Sequence, residues 1–63
     1  MNASTFQVDQ QVRIDTFLHK RHQQIGKVVK TLRYPQEAYI VEFSDGKTLW
    51  FMPKELRDAN ERG

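Results

Sequence analysis

Ala38-Tyr39-Ile40-Val41-Glu42-Phe43-Ser44-Asp45-Gly46-Lys47-Thr48-Leu49-Trp50-Phe51-Met52 is the stretch whose reading decides the fold. Both arms are rich in aromatic and β-branched residues, which suit a pleated, half-buried surface. Between them lies Asp45-Gly46, a leading hairpin signal, because a type I′ turn needs positive φ at both central positions. A two-residue turn of that type sets Phe43 opposite Thr48, Val41 opposite Trp50 and Tyr39 opposite Met52. One face of the hairpin then carries Tyr39, Val41, Phe43, Trp50 and Met52. The other carries Ile40, Leu49 and Phe51 among Glu42, Ser44 and Lys47. That second face is unusually apolar for a solvated one, so a loop, a partner or a second copy is expected to cover it.

Beyond the hairpin, Pro53 cannot continue a central strand. Pro53-Lys54-Glu55-Leu56 therefore reads as one short 3-10 turn that tucks Leu56 into the core, followed by a short strand over about 57–60. Upstream, Tyr34-Pro35-Gln36-Glu37 reads as a turn, since proline presets φ at a turn's second position. Ile25-Gly26-Lys27-Val28-Val29-Lys30-Thr31-Leu32 reads as a strand. Leu18, His22, Ile25, Val29 and Leu32 also fall on one face of a helix. Gly26 and the Val28-Val29 pair speak for the strand. Residues 15–24 show no alternation and read as a long loop. Phe6, Val8, Val12 and Ile14 recur at even spacing and suit a first strand with one buried face. Residues 1–5 are expected to be a disordered tail, 6–60 the folded domain and 61–63 a frayed end.

A chain of 63 residues is a single small domain that buries only ~60% of the surface its unfolded form exposes. It has no cysteine, so neither a disulfide nor a Cys-containing zinc site supports it. Apolar runs stop at four residues, 38–41 and 49–52, too short to cross a bilayer. The opening Met-Asn-Ala-Ser-Thr lacks the apolar stretch of a secretory signal. Cytoplasm is therefore the expected location. The formal charge of +2 is unevenly spread: six basic residues (Arg13, Lys20, Arg21, Lys27, Lys30, Arg33) face only Asp15 between 13 and 33. Such asymmetry marks one surface for an anionic partner.

The order strand, long loop, strand, turn, hairpin, single helical turn, short strand resembles the SH3-like barrels. Val8-Asp9-Gln10-Gln11-Val12-Arg13-Ile14 is similar to their opening, where a Gly-Asp pair precedes a Val-Arg-Val strand; Asp9 and Gln10 stand at the Gly and Asp positions. Tyr39-x-Val41-x-Phe43-x-Asp45-Gly46, with Trp50 and Lys54-Glu55-Leu56, resembles the central hairpin of Tudor domains. The chain also resembles the small SH3-like barrel protein of photosystem I and the ferredoxin-docking component of the photosynthetic NADH-dehydrogenase-like complex. The resemblance covers about residues 6–58. It implies an all-β, five-stranded SH3-like, Tudor-like small barrel with one short 3-10 turn near Pro53–Leu56. It also implies Phe43 and Asp45 as sides of an aromatic cage, although Gln23 and Gln24 stand where further cage aromatics belong.

Catalytic patterns are missing: the chain has three glycines and no phosphate loop or nucleophile elbow. His19 and His22 lack a third ligand at metal-binding spacing. The expectation is a non-enzymatic module without metal or cofactor. Its first reading is docking of an acidic protein through Arg13, Lys20, Arg21, Lys27, Lys30 and Arg33, with Phe17, Tyr34, Phe43 and Phe51 as apolar contacts. The alternative is a nucleic-acid-binding module in which those cations meet phosphates and exposed aromatics among Tyr34, Tyr39, Trp50 and Phe51 stack on bases. A third is a homo-oligomer joined through Ile40, Leu49 and Phe51.

Overall fold

The computed structural model describes residues 6–60; the tail expected over 1–5 and the frayed end expected over 61–63 lie outside the described residues. Five antiparallel strands follow in chain order: β1 Gln11–Ile14, β2 Ile25–Leu32, β3 Ala38–Glu42, β4 Thr48–Phe51 and β5 Leu56–Asp58. They form one sheet in the order β4-β3-β2-β1-β5, the expected all-β arrangement. Residues 18–32, which also fit a helical face, form loop and strand.

The two edge strands, β4 and β5, are consecutive in sequence and joined only by Met52 and a 3-10 turn over Pro53–Glu55. In a flat sheet, four spacings of ~4.8 Å would hold them ~19 Å apart. A 3-10 path rising ~2 Å per residue spans roughly half that. The sheet therefore curls into a small open barrel, with near-equal extents of 26 × 26 × 23 Å. The turn is tied at both ends. The Met52 N–H donates to Glu55 Oε1 at 2.9 Å, the Glu55 N–H to the Met52 carbonyl at 2.9 Å, and the Leu56 N–H to the Pro53 carbonyl. Proline suits its first position because no hydrogen bond is asked of that nitrogen. Leu56 is buried, as expected.

The first strand is shorter than its spacing implied. Gln10 N–H bonds the Gln7 carbonyl at 3.0 Å, Asp9 takes φ 76°, and the ladder opens only at Gln11. Phe6 still reaches the core, but Val8 is pushed out to solvent. Aspartate is among the few residues that visit this left-handed region, so it can fill a place suited to glycine.

The main difference from expectation lies in the hairpin. The Gly46 N–H bonds the Phe43 carbonyl and the Phe43 N–H bonds the Lys47 carbonyl, both at 2.9 Å. Three residues, Ser44-Asp45-Gly46, thus make the loop, and of these only Gly46 has positive φ, at 85°. This is a type I turn closed by a left-handed glycine, the usual three-residue hairpin. Asp45 stays out of the left-handed region, and its Oδ1 accepts the Lys47 N–H at 3.1 Å. The register becomes Tyr39↔Phe51, Ile40↔Trp50, Val41↔Leu49 and Glu42↔Thr48. A one-residue slip turns every side chain of a strand over. Phe51 therefore enters the core and Trp50 faces out, the reverse of what a two-residue turn gives.

Candidate functional site

Most of the exposed residues expected to be functional fall on two surfaces, the long loop and the outer face of the sheet. The first is the loop over residues 15–24. Its neck closes where Ile14 N–H bonds the Gln24 carbonyl at 2.9 Å and Gln23 N–H bonds the Ile14 carbonyl at 2.7 Å. Its underside packs on the hairpin. The His19 ring lies 5.2 Å from that of Phe51, and the Arg21 guanidinium sits 4.4 Å above the Phe43 ring. Arg21 also bonds Asp45 Oδ2 and Gln24 Oε1, each at 3.0 Å. At the tip Phe17 and Leu18 stand 80% and 92% exposed, with Phe17 edge-on to His22. Lys20 is exposed there too.

Three expected contact residues are displaced by this packing. Arg21 is committed to its own hairpin, because a planar cation finds an aromatic face and a carboxylate side by side. Phe43 and Phe51 are core residues, exposed by 4% and 1%. The Phe43 face that a cage would offer to a ligand cation is already covered by Arg21. Among the described residues no group of three potential metal ligands forms.

The Asp45 carboxyl is held below its ordinary range, first by the Lys47 N–H and then by the Arg21 guanidinium. A carboxylate whose folded value lies below its unfolded one stabilises the fold above the unfolded value. That contribution disappears as pH falls through the folded value. Acidification below about pH 3.9, the ordinary aspartate value, is thus expected to release Arg21 from Asp45. The ring-current-shifted Arg21 and Phe43 NMR signals should move in that range. In Asp45→Asn they should not. Wild-type signals that stay constant down to the acid-unfolding limit would refute the contact.

The second surface is the outer face of the sheet. Register and alternation set Arg13 opposite Ile25 and Arg57, Lys27 opposite Glu42, and Lys30 opposite Ile40, which is itself opposite Trp50. Lys30, Ile40 and Trp50 therefore form one row across three strands. Cross-strand neighbours on a face lie ~5 Å apart. Trp50 is 58% exposed, and Lys27 and Lys30 are exposed without an ion-pair partner among the described residues. Arg57 is bound to Asp15 at 2.5 Å. A bulge between Val28 and Lys30 leaves Val29 half-exposed beside the row.

Arg33 and Tyr34 belong to neither surface. They flank a cleft of about 320 Å³ with Phe6, Thr31, Glu37 and Tyr39. In it the Tyr39 hydroxyl donates to Glu37 and accepts from the Phe6 N–H. Burial first, and the bond to Glu37 second, raise the Tyr39 phenol above its ordinary range. Of the expected cations, then, the fold gathers Arg13, Lys27 and Lys30 on one face and scatters Lys20, Arg21 and Arg33. Trp50 is the surface residue that the two-residue register hid. The signal that finds it is the paired Phe51, since only one of the two rings can enter the core.

The fold and this face together define a small all-β barrel with a basic, tryptophan-bearing outer sheet. Comparison with protein families, with curated proteins and with solved structures finds no match to the chain.

Proposed function

We propose that the protein is a non-enzymatic docking module that takes an acidic protein partner on its outer sheet face, with Lys27 and Lys30 supplying charge and Trp50 the anchor. The observation that carries this reading is the row Lys30–Ile40–Trp50. A solvent-facing tryptophan beside aliphatic side chains and unpaired cations has the composition of an interface hot spot. Exposed lysines steer an anionic partner toward it. The second strand, rather than the loop, bears the charge in this reading, because Arg21 is already engaged.

A nucleic-acid-binding role draws on a separate observation, the exposure of Trp50 and Tyr34, which makes both rings open to stacking. The aliphatic neighbours Ile40 and Val29 favour a protein surface instead. One experiment separates the two. Trp50 is the single tryptophan, so its emission reports occupation of the face directly. An acidic peptide bearing an aromatic residue is expected to shift that emission. Lys27→Glu with Lys30→Glu should weaken binding by roughly tenfold and by no more than about thirtyfold, the scale of two exposed charge contacts of up to ~1 kcal/mol each. Single- and double-stranded oligonucleotides, titrated at ~50 mM and ~200 mM salt, test the other reading through its steep salt dependence. A response to oligonucleotide alone moves the assignment to nucleic acid. Silence toward both probes rejects this face as the site.

A further inference from the structure

Among the described residues the sheet has two open edges, and they differ in chemistry. Edge strands expose a row of unpaired backbone groups, and folded proteins commonly guard them with charge, proline or a covering segment. On β5, Arg57 and Asp58 are charged and the Leu56 N–H is already bonded to Pro53. On β4 the sequence is Thr48-Leu49-Trp50-Phe51, without charge or proline, and rich in residues that favour extended backbone.

The hydrogen-bond pattern fixes which groups on β4 are open. The Phe43 N–H bonds the Lys47 carbonyl, and the register runs unbroken from there to Tyr39↔Phe51. In an antiparallel ladder hydrogen-bonded and non-bonded pairs alternate. Lys47, Leu49 and Phe51 therefore bond β3, while Thr48 and Trp50 direct both N–H and C=O outward. Among the described residues nothing bonds those four groups. Thr48, Leu49 and Trp50 are also exposed as residues.

We propose that this edge is a strand-addition site for a second copy of the same chain, paired antiparallel about a two-fold axis through Leu49. The edge is complementary to itself in that register. Thr48 of each copy meets Trp50 of the other and exchanges both backbone bonds, so all four open groups are satisfied in each copy. Leu49 faces Leu49 of the second copy in a non-bonded pair, where side chains approach most closely. This covers the half-exposed Leu49 on the side that leads to the core. The two Trp50 side chains become diagonal neighbours on the outer face, ~7–8 Å apart and within reach of each other. Lys47 of each copy falls opposite Phe51 of the other, which keeps the two ammonium groups ~14 Å apart along the strands. The Ile40, Leu49 and Phe51 surface expected for self-association is replaced, because Phe51 is buried.

The two sheets become one ten-stranded sheet, with the Lys27–Lys30 faces of both copies on the same side. The inference does not depend on the docking reading. A pairing of three residues from each copy through four backbone hydrogen bonds is below the size of a stable interface, so the association is expected to be weak and strongly concentration-dependent.

Sedimentation equilibrium between ~10 µM and ~1 mM tests it through the concentration dependence of association. Apparent mass should rise from 7.5 kDa toward twice that value. Hydrogen exchange at the Thr48 and Trp50 amides should slow in step, with other ladder amides unchanged. Thr48→Pro, which removes one outward N–H, and Leu49→Lys, which sets two ammonium groups face to face, should each abolish the rise. A monomer throughout the range overturns the proposal. So does a dimer that persists in folded Leu49→Lys, or one that forms without protection at Thr48 and Trp50. The exchange measurement on the unaltered protein decides the matter even if a variant does not fold.

Discussion

Phe51→Ala is expected to cost the protein roughly a third or more of its folding stability. The ring is 1% exposed, lies opposite Tyr39, and stands edge-on to Phe43 with centroids 6.4 Å apart. The His19 ring closes it from the loop side at 5.2 Å. Truncating a buried phenylalanine costs about 3–5 kcal/mol, transfer and cavity together. At ~0.05–0.15 kcal/mol per residue, a chain this small holds only ~3–9 kcal/mol in all. Trp50→Ala should cost under ~1 kcal/mol, since over half of that side chain already sits in water. Urea titration followed by far-ultraviolet circular dichroism measures both. The pair tests the hairpin register itself. If the tryptophan proved the costly residue and the phenylalanine the cheap one, β4 would be turned over.

Gly26→Ala is expected to lower stability by about 2–3 kcal/mol, the upper range for overpacking a closed site. Gly26 pairs with Val12 in β1 and is buried. An added Cβ would lie 2.5 Å from Val41 Cγ1, 2.9 Å from the Glu42 carbonyl oxygen and 3.3 Å from Phe43 Cδ1. Val41 is itself sealed, and the carbonyl belongs to the β3 backbone, so neither yields cheaply. The denaturation midpoint should fall while the slope with denaturant stays constant. A change within ~0.5 kcal/mol, the range of an ordinary surface substitution, would show that the strands part easily at this point.

Much of the strand pattern was legible in the chain. Ile25–Leu32 appeared as a strand because its β-branched residues and Gly26 argue against a helix, and β2 has those bounds. Pro53 announced the end of β4 and the 3-10 turn, because a residue without an N–H cannot continue a ladder. Less of the candidate site was legible. Lys27 and Lys30 on β2 were visible as exposed cations, yet Arg21 looked equivalent to them. Charge along a chain does not reveal which cation will meet a carboxylate 24 residues away. Phe17 was identified as a surface aromatic, and at the loop tip it is one.

By itself the sequence determined that the polypeptide reverses at Asp45-Gly46 between two strands, since only glycine takes φ 85° there without strain. It also determined that β-prone runs too short and too apolar to stand alone must fold onto one another. Asp-Gly suits a loop of two residues or of three, and these differ in whether Asp45 joins the left-handed region and whether Ser44 leaves the strand for the turn. Packing across the barrel made the choice. With Phe51 inside, against Tyr39, Phe43 and His19, Trp50 faces out and joins Ile40 and Lys30. Local chemistry fixed where the chain turns, while the shape of a core built from distant residues decided which side of β4 became surface.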